Sequence, residues 1–301
     1  MILEPYKLAY RAYTIARAIA RAARVNGALR HSLGRLAGRS VFSMSANIDQ
    51  PISIQGHKMF LAAAGRYPSL DMLMDKYEEA TTQLFRQLLQ PGMVVVDVGA
   101  NVGYFSLLSA DQVGPTGMVY AFEPEPVNHS LLQKNIDLNA YSNILAMQRA
   151  VSNTSGCIEF FLSELDSGSH SIYQEGARGV ADKLSVTSTT LDSFLEELGW
   201  PNIDLVKIDV EGAELAVLEG MESSIQRSSC LTLILEYCPF LLQSAGLNPS
   251  DLLDKLTSLG FQTHIIDDKN GVLPLDEVDS SAITASLLKQ KTYMNLACFQ
   301  I

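Results

Sequence analysis

The sequence predicts an α/β fold on a largely parallel sheet, and three observations predict it. From residue 94 onward, short apolar runs alternate with helix-compatible segments. Several of those runs end in glycines or acids, the residues that turn a strand into the next helix. The chain has 301 residues, 47% of them hydrophobic, which is enough to cover both faces of such a sheet.

In chain order, residues 6–25 read as a helix with Arg17, Arg21 and Arg24 on one stripe and Ile15, Ile19, Ala22 and Val25 on another. Residues 41–66 are weakly patterned. Asp71–Leu89 reads as an amphipathic helix stopped by Pro91-Gly92. Strand Val94–Val98 leads to helix Tyr104–Val113, strand Met118–Phe122, helix Asn128–Asn139 and strand Asn143–Ala150, a βαβαβ series. Val151–Ser163 reads as a hairpin turning at Asn153–Gly156, and Glu164–Leu184 as a long loop of the kind that lines binding sites. Asp192 is placed to cap a helix at Ser193–Leu198. Strand Ile203–Val210, helix Ala213–Ile225, strand Leu231–Tyr237, helix Ser250–Leu259, strand Phe261–Asp267 and strand Tyr293–Phe299 complete the series. This divides the chain into a basic helical extension and linker, 1–66, and an α/β domain, 67–301.

Charge separates the same two parts. Residues 1–40 carry eight Lys/Arg and one acid, so the remainder holds −18 of charge within a chain of net −11. An acidic body excludes nucleic acid as the main substrate. The basic helix with Tyr6, Tyr10 and Tyr13 beside its arginines suits a peripheral membrane surface or a protein partner. Arginines interrupt that segment too often for a membrane span or a secretory leader. Cys157, Cys230, Cys238 and Cys298 form no C-x-x-C pair and read as reduced, mostly buried thiols of a cytoplasmic protein.

The stretch Val94–Gly103, V-V-V-D-V-G-A-N-V-G, is a buried strand, a glycine turn and a helix start, where an α/β protein brings its backbone against a nucleoside-like ligand. Side chains at Gly99 or Gly103 would block that approach or strain the turn. Asn101 stands where a dinucleotide fingerprint needs its middle glycine, and Asp97 would repel a pyrophosphate. The pattern favours a ligand with a cationic head, such as the amino group of S-adenosylmethionine. Glu123 ends the next strand twenty residues after Gly103, where a carboxylate reaches ribose hydroxyls, and Pro124 fixes the chain exit.

A second constellation, Asp204–Leu218, crowds acids around the end of an apolar strand. Lys207 and Asp209 share a face, Glu211 follows in the same period if the strand continues, and Glu214 falls in the first turn of the next helix. Since ligands sit beyond the carboxyl ends of such strands, both constellations should face one crevice.

These motifs resemble those of the FkbM-type methyltransferases. The matching pieces are Asp97–Leu107, Ala121–Pro124, Ala150–Asn153, Thr190–Phe194, Val206–Glu214 and Leu235–Tyr237. The resemblance implies a Rossmann-like class I methyltransferase sheet of seven strands, mostly parallel with the last antiparallel. It implies O-methylation by S-adenosylmethionine of a hydroxyl on a sugar, glycan, lipid-linked or secondary-metabolite acceptor. By position, Asp97, Gly99, Ala100, Asn101 and Gly103 would hold the methionine moiety, Glu123 with Pro124 the ribose, and the segment around Ala150 the adenine.

An alcohol acceptor gains from a general base, worth ~10²–10⁴ in rate. The candidates are Asp209, Glu211 and His170, the last in a loop from which a histidine is free to reach substrate. No metal cluster is expected. Two other readings stay open: a non-catalytic adenosyl-ligand module, and an NAD-dependent oxidoreductase or epimerase. The oxidoreductase should show G-x-G-x-x-G and a Y-x-x-x-K pair, and neither occurs.

Overall fold

The computed structural model describes residues 50–61, 72, 76–163, 170–174 and 180–301. The expected basic helix at 6–25 lies outside them. Two compact units are distinguished, Met1–Glu78 and Glu79–Ile301. In the first, strands β1 (Ile52–Ile54) and β2 (His57–Met59) form an antiparallel hairpin. Its two turn residues, Gln55 and Gly56, both have positive φ, as a primed two-residue turn requires.

The second unit opens with helix α1 (Glu79–Leu88), shorter than the Asp71–Leu89 expected because residues 77–78 form a turn. The βαβαβ series then follows as read. Strand β3 (Val94–Val98), helix α2 (Tyr104–Val113), strand β4 (Met118–Phe122), helix α3 (Pro126–Leu138) and strand β5 (Ile144–Met147) alternate. Helix α3 carries proline in its first turn and is capped by Glu125, whose side chain accepts from the Asn128 amide. The expected strand to Ala150 breaks after Met147, and Ala150–Val151 form a separate strand, β6.

The expected hairpin around Asn153–Gly156 is replaced by another. Strand β7 (Gly156–Ser163) pairs antiparallel with β8 (Val180–Thr189), and β6 pairs parallel with β8 on its other side. The long loop is therefore shorter than Glu164–Leu184, and Ser171 bridges back to Phe161 within it.

Helix α4 (Leu191–Glu197) is capped by Thr190 rather than Asp192. Asp192 instead accepts from the amides of Ser223 and Ser224, closing the start of helix α6 (Glu222–Arg227). Strand β9 (Leu205–Ile208) leads to α5 (Glu214–Glu219). The single helix expected over Ala213–Ile225 is thus two, broken at Gly220-Met221. Strand β10 (Thr232–Tyr237), helix α7 (Pro239–Ser244), helix α8 (Pro249–Ser258) and strand β11 (Phe261–Asp267) follow. Strand β12 (Gly271–Pro274), helix α9 (Ser280–Gln290) and strand β13 (Met294–Gln300) complete the chain.

The main sheet runs β12-β11-β13-β10-β9-β3-β4-β5. The pairs β5–β4, β4–β3, β3–β9 and β9–β10 are parallel, and β13 is antiparallel to both its neighbours. The order is Rossmann-like, with the topological switch between β3 and β9, where chain direction along the sheet reverses. It has eight strands rather than seven, because β12 folds back on β11 as an edge hairpin. One face is fully apolar: Val96, Val98, Phe122, Val206, Ile208, Leu233 and Leu235 pack with Leu191, Phe194, Leu218 and Ile225 from the helices over them. No helix among the described residues is long and apolar enough to cross a membrane.

The thiols are corrected in part. Cys238 and Cys298 are buried, while Cys157 and Cys230 are exposed, and none is in a disulfide.

Gly220 has an ordinary negative φ, so its need for glycine is steric. A Cβ there would overlap the Ser152 carbonyl oxygen, and its own carbonyl accepts the Asp192 amide at 3.0 Å. We expect Gly220→Ala to lower unfolding free energy by more than about 3 kcal/mol, read from urea denaturation. A loss under about 1 kcal/mol would show that this joint yields without strain.

Candidate active site

The carboxyl ends of β4, β3, β9 and β10 lie side by side at one edge of the sheet, where a ligand crevice is expected. The pairing β3–β9 puts Asp97 opposite Lys207, and β9–β10 puts Lys207 opposite Ile234. Side chains in register share a face, and residues two apart on a strand return to it. Asp97, Lys207 and Glu236 therefore project on the same side of the sheet, opposite the apolar core.

The glycine turn is held by the protein itself. The amides of Gly99 and Ala100 both donate to the Phe122 carbonyl, that of Asn101 donates to Glu123 Oε2 at 2.8 Å, and that of Gly103 donates to the Ala100 carbonyl. From α3, the Asn135 side chain donates to the Val102 carbonyl at 2.8 Å. Four of the turn's five amides are thus committed, so the turn offers no nest of N–H groups to a pyrophosphate. The glycines take the strained dihedrals expected and meet a second constraint, from the protein's own elements. Both have left-handed φ; a Cβ at Gly99 would overlap the Asp209 carbonyl oxygen, and one at Gly103 would lie 2.6 Å from Leu132 Cδ1. They permit close approach of the protein's own elements.

Glu123 is buried at the end of β4 with Oε1 accepting the Glu125 amide at 2.9 Å and Oε2 the Asn101 amide. Burial pushes its carboxyl up to about 8 in spite of these two donors. Asp97 lies beneath the turn, only 2% exposed, and accepts the Ser106 hydroxyl at 2.5 Å. Its proton affinity is raised by burial, which outweighs the attraction of Lys207. Pro124 is buried directly after Glu123, and Ala150 is buried in the small sheet, where it pairs with Ser188 and packs with Phe160 and Val186.

Lys207 is 4% exposed; its Nζ lies 2.7 Å from Asp209 Oδ2 and 4.6 Å from the centre of the Phe105 ring. This places the ammonium against the ring face as well as the carboxylate. The strand stops at Ile208, so Glu211 does not continue its period. It takes a left-handed φ of 52° at the turn into α5. Glu214 is buried there, Oε1 accepting the Gly212 amide at 3.1 Å and Oε2 without a hydrogen-bond partner. Burial raises its carboxyl to about 7.

His170 is not the exposed loop histidine expected. It is buried, its Nδ1 accepts the Ser163 amide at 2.9 Å, and its ring meets Phe160 edge-on. With Nδ1 used as an acceptor, the neutral ring carries its proton on Nε2. Its neighbour Ser171 donates from Oγ to the Glu211 carbonyl at 2.8 Å, so the segment is tied to the acidic turn.

The acid that sequence spacing did not single out is Glu236. It is partly enclosed, and its proton affinity is raised well above an ordinary carboxyl, first by burial and then by Glu211 and Asp209. The signal was available in the L-E-Y run, where one acid interrupts a buried strand. Among the described residues, no group of three or more His, Cys, Asp or Glu is arranged to hold a metal ion. The crevice is a set of enclosed carboxyls around one lysine, an arrangement that favours a cationic ligand over an anionic one.

Comparison with known proteins finds the following. The model of the "Methyltransferase FkbM domain" matches residues 97–263. "Methyltransferase sdnD" of Sordaria araneosa is 34% identical over 156 residues, covering 42% of this chain and 60% of that protein. "Hexuronic acid methyltransferase AglP" of Haloferax volcanii is 27% identical over 189 residues, 62% of this chain and 71% of that protein. "31-O-demethyl-FK506 methyltransferase FkbM" of Streptomyces tacrolimicus is 31% identical over 163 residues, 45% of this chain and 62% of that protein. Among solved structures, a "Methyltransferase FkbM" from Methylobacillus flagellatus KT aligns with TM-score 0.43 at 14% identity, covering 76% of this chain and 52% of that one.

The raised Glu214 carboxyl has a consequence for stability. Between its unfolded value of 4.5 and its folded value of about 7, the native state holds a proton that the unfolded state has lost. Stability from this group is full below 4.5 and falls as pH rises to about 7. Glu214→Gln keeps the shape and one acceptor oxygen, and removes the titration. We expect the variant to gain on wild type between pH 4.5 and 7.5 by on the order of 2 kcal/mol, read from urea denaturation. Parallel pH profiles for the two proteins would contradict it.

Proposed function

The chain belongs to the FkbM methyltransferase family, and we propose that it is an S-adenosylmethionine-dependent O-methyltransferase. The observation that carries the reading is the placement of Glu123. Its carboxyl closes the glycine turn through the Asn101 amide at 2.8 Å, so one buried acid sits where a ribose diol would meet the turn. When bound, S-adenosylmethionine supplies an electrophilic methyl group on a sulfonium.

The residues present fit that ligand. Gly99, Ala100, Asn101 and Gly103 form a backbone wall, Glu123 accepts from ribose hydroxyls, and Pro124 and Ala150 bound the adenine side. Asp97 acts from beneath the turn, through its charge and its hold on Ser106. Excluding water from the crevice strengthens each of these contacts. On the acceptor side, Asp209 is fixed by Lys207 at 2.7 Å and supplies charge beside the acceptor. Glu211 borders the same space. His170, with its proton on Nε2, serves as a hydrogen-bond donor rather than a base. The acceptor is a hydroxyl of a sugar, glycan, lipid-linked or secondary-metabolite compound. The names of the relatives, which include a hexuronic acid and 31-O-demethyl-FK506, support that range. The basic segment at 6–25 would bring the enzyme to a membrane surface or a protein partner carrying that acceptor.

Calorimetric titration with S-adenosylhomocysteine tests the reading, with NADH as control. We expect micromolar binding of the first, none of the second, and at least roughly tenfold weaker binding by Glu123→Gln, which forfeits about one charge-assisted hydrogen bond. No binding by folded wild-type protein would overturn the assignment.

A further inference from the structure

We propose that Glu236 is the general base that takes the acceptor's hydroxyl proton, a role that rests on the methyltransferase reading and adds to it the residue that moves the proton.

The argument is by position and by availability. Glu236 lies two residues beyond Ile234, the register partner of Lys207, which itself faces Asp97. It therefore stands on the crevice side of the sheet at the carboxyl end of β10. Strand β10 is two strand spacings from β3, about 10 Å. With the nucleoside wall at the ends of β3 and β4, an acceptor over β9 and β10 has Glu236 on the side away from the donor.

Four other carboxyls of the crevice are engaged. Asp97 accepts from Ser106, Glu123 holds two amides, and Glu214 is fully buried and accepts the Gly212 amide. Asp209 is paired to Lys207 at 2.7 Å. Glu236 accepts no hydrogen bond from any described residue, and its side chain is only partly enclosed. It is a carboxyl with no hydrogen bond of its own at the end of β10, whereas the unpartnered oxygen of Glu214 is fully buried.

Its surroundings suit a base. Asp209, Glu211 and Glu214 face it from the β9–α5 segment, and Cys238 lies two residues on along its own chain. From β13 the register partner is Asn295, a neutral amide that donates to Thr81. Burial first, and then the charges of Glu211 and Asp209, raise its affinity for a proton well above that of an ordinary carboxyl, the direction that suits a base. In the step, the acceptor O–H bond breaks toward Glu236 as the oxygen forms its bond to the methyl carbon. The sulfur–methyl electron pair stays on sulfur, which becomes a neutral thioether. The proton on Glu236 then leaves to solvent.

Three measurements test this on the full chain. S-Adenosylhomocysteine binding by Glu236→Gln should stay within about threefold of wild type. Loss of binding in wild type as well would instead overturn the methyltransferase reading. Carbon NMR of protein labelled at glutamate side-chain carboxyls should show one resonance, absent in Glu236→Gln, that titrates well above the ordinary glutamate range. Titration of that resonance in the ordinary range would overturn the proposal. Tritiated methyl transfer to a panel of neutral methyl glycosides and uronic acids should fall ~10²–10³-fold in kcat for Glu236→Gln, with KM for S-adenosylmethionine little changed. The rise of kcat with pH should vanish in that variant, and Glu236→Asp should restore part of the rate. Retained kcat in Glu236→Gln, or an unchanged pH limb, would overturn it.

Discussion

The site depends on one backbone contact, the continuation of the β3–β9 pairing beyond the ends of both strands. The Asp209 amide donates to the Val98 carbonyl at 3.0 Å, and the Asp209 carbonyl then lies where a side chain at residue 99 would be. Only glycine allows this approach. Through it, the turn that follows β3 and the acids that follow β9 share one crevice rather than lining two. The same geometry sets the topological switch, since β4 lies on one side of β3 and β9 on the other. A sheet that reverses direction elsewhere would leave Glu123 and Asp209 facing different neighbours.

Bringing these elements together encloses several carboxyls at once. Asp97, Glu123, Glu214 and Glu236 are all pushed above the usual carboxylate range, in each case mainly by desolvation. Lys207 answers part of this charge, and its contact with Phe105 keeps it from turning toward solvent. Acids enclosed in this way favour a ligand with positive charge over one with negative charge. A pyrophosphate would meet the reverse, since the turn amides that could receive it already serve Phe122, Glu123 and Ala100.

Much of this could be read in the sequence, and the limits have physical causes. The run Val94–Gly103 and the spacing to Glu123 depend on local geometry, strand to turn to helix, and both the strand and the helix fell where read. The breaks after Met147 and at Gly220 depend on contacts between distant segments. A helix over Ala213–Ile225 satisfies local propensity throughout, and only the approach of Ser152 interrupts it. Asp192 carries a correct capping signal but delivers it to α6, thirty residues away, because Thr190 already occupies the local position. His170 looked exposed because its loop is polar, and its burial comes from Phe160 and Ser163 on the strand before it. Glu236 went unremarked because a lone acid in a strand has no meaning until the neighbouring strand end is known to be acidic too.

The smaller sheet explains why the β9–α5 segment can carry the acids with little freedom to move. The β6-β8-β7 sheet meets that segment at two backbone points. At one, the Ser152 carbonyl packs against Gly220 at the end of α5, while the Asp192 amide takes the Gly220 carbonyl. At the other, the Ser171 hydroxyl donates to the Glu211 carbonyl, and Ser171 is itself bridged to Phe161 in β7. Helix α5 is therefore held at both ends by one neighbouring body. Glu211 keeps its left-handed turn because its carbonyl is fixed, and Glu214 stays buried because the helix cannot slide outward. Acids that act on a neighbouring site work at set distances from it, so a cluster of them on a turn gains from this support. Ser171 supplies it through its hydroxyl on the Glu211 carbonyl.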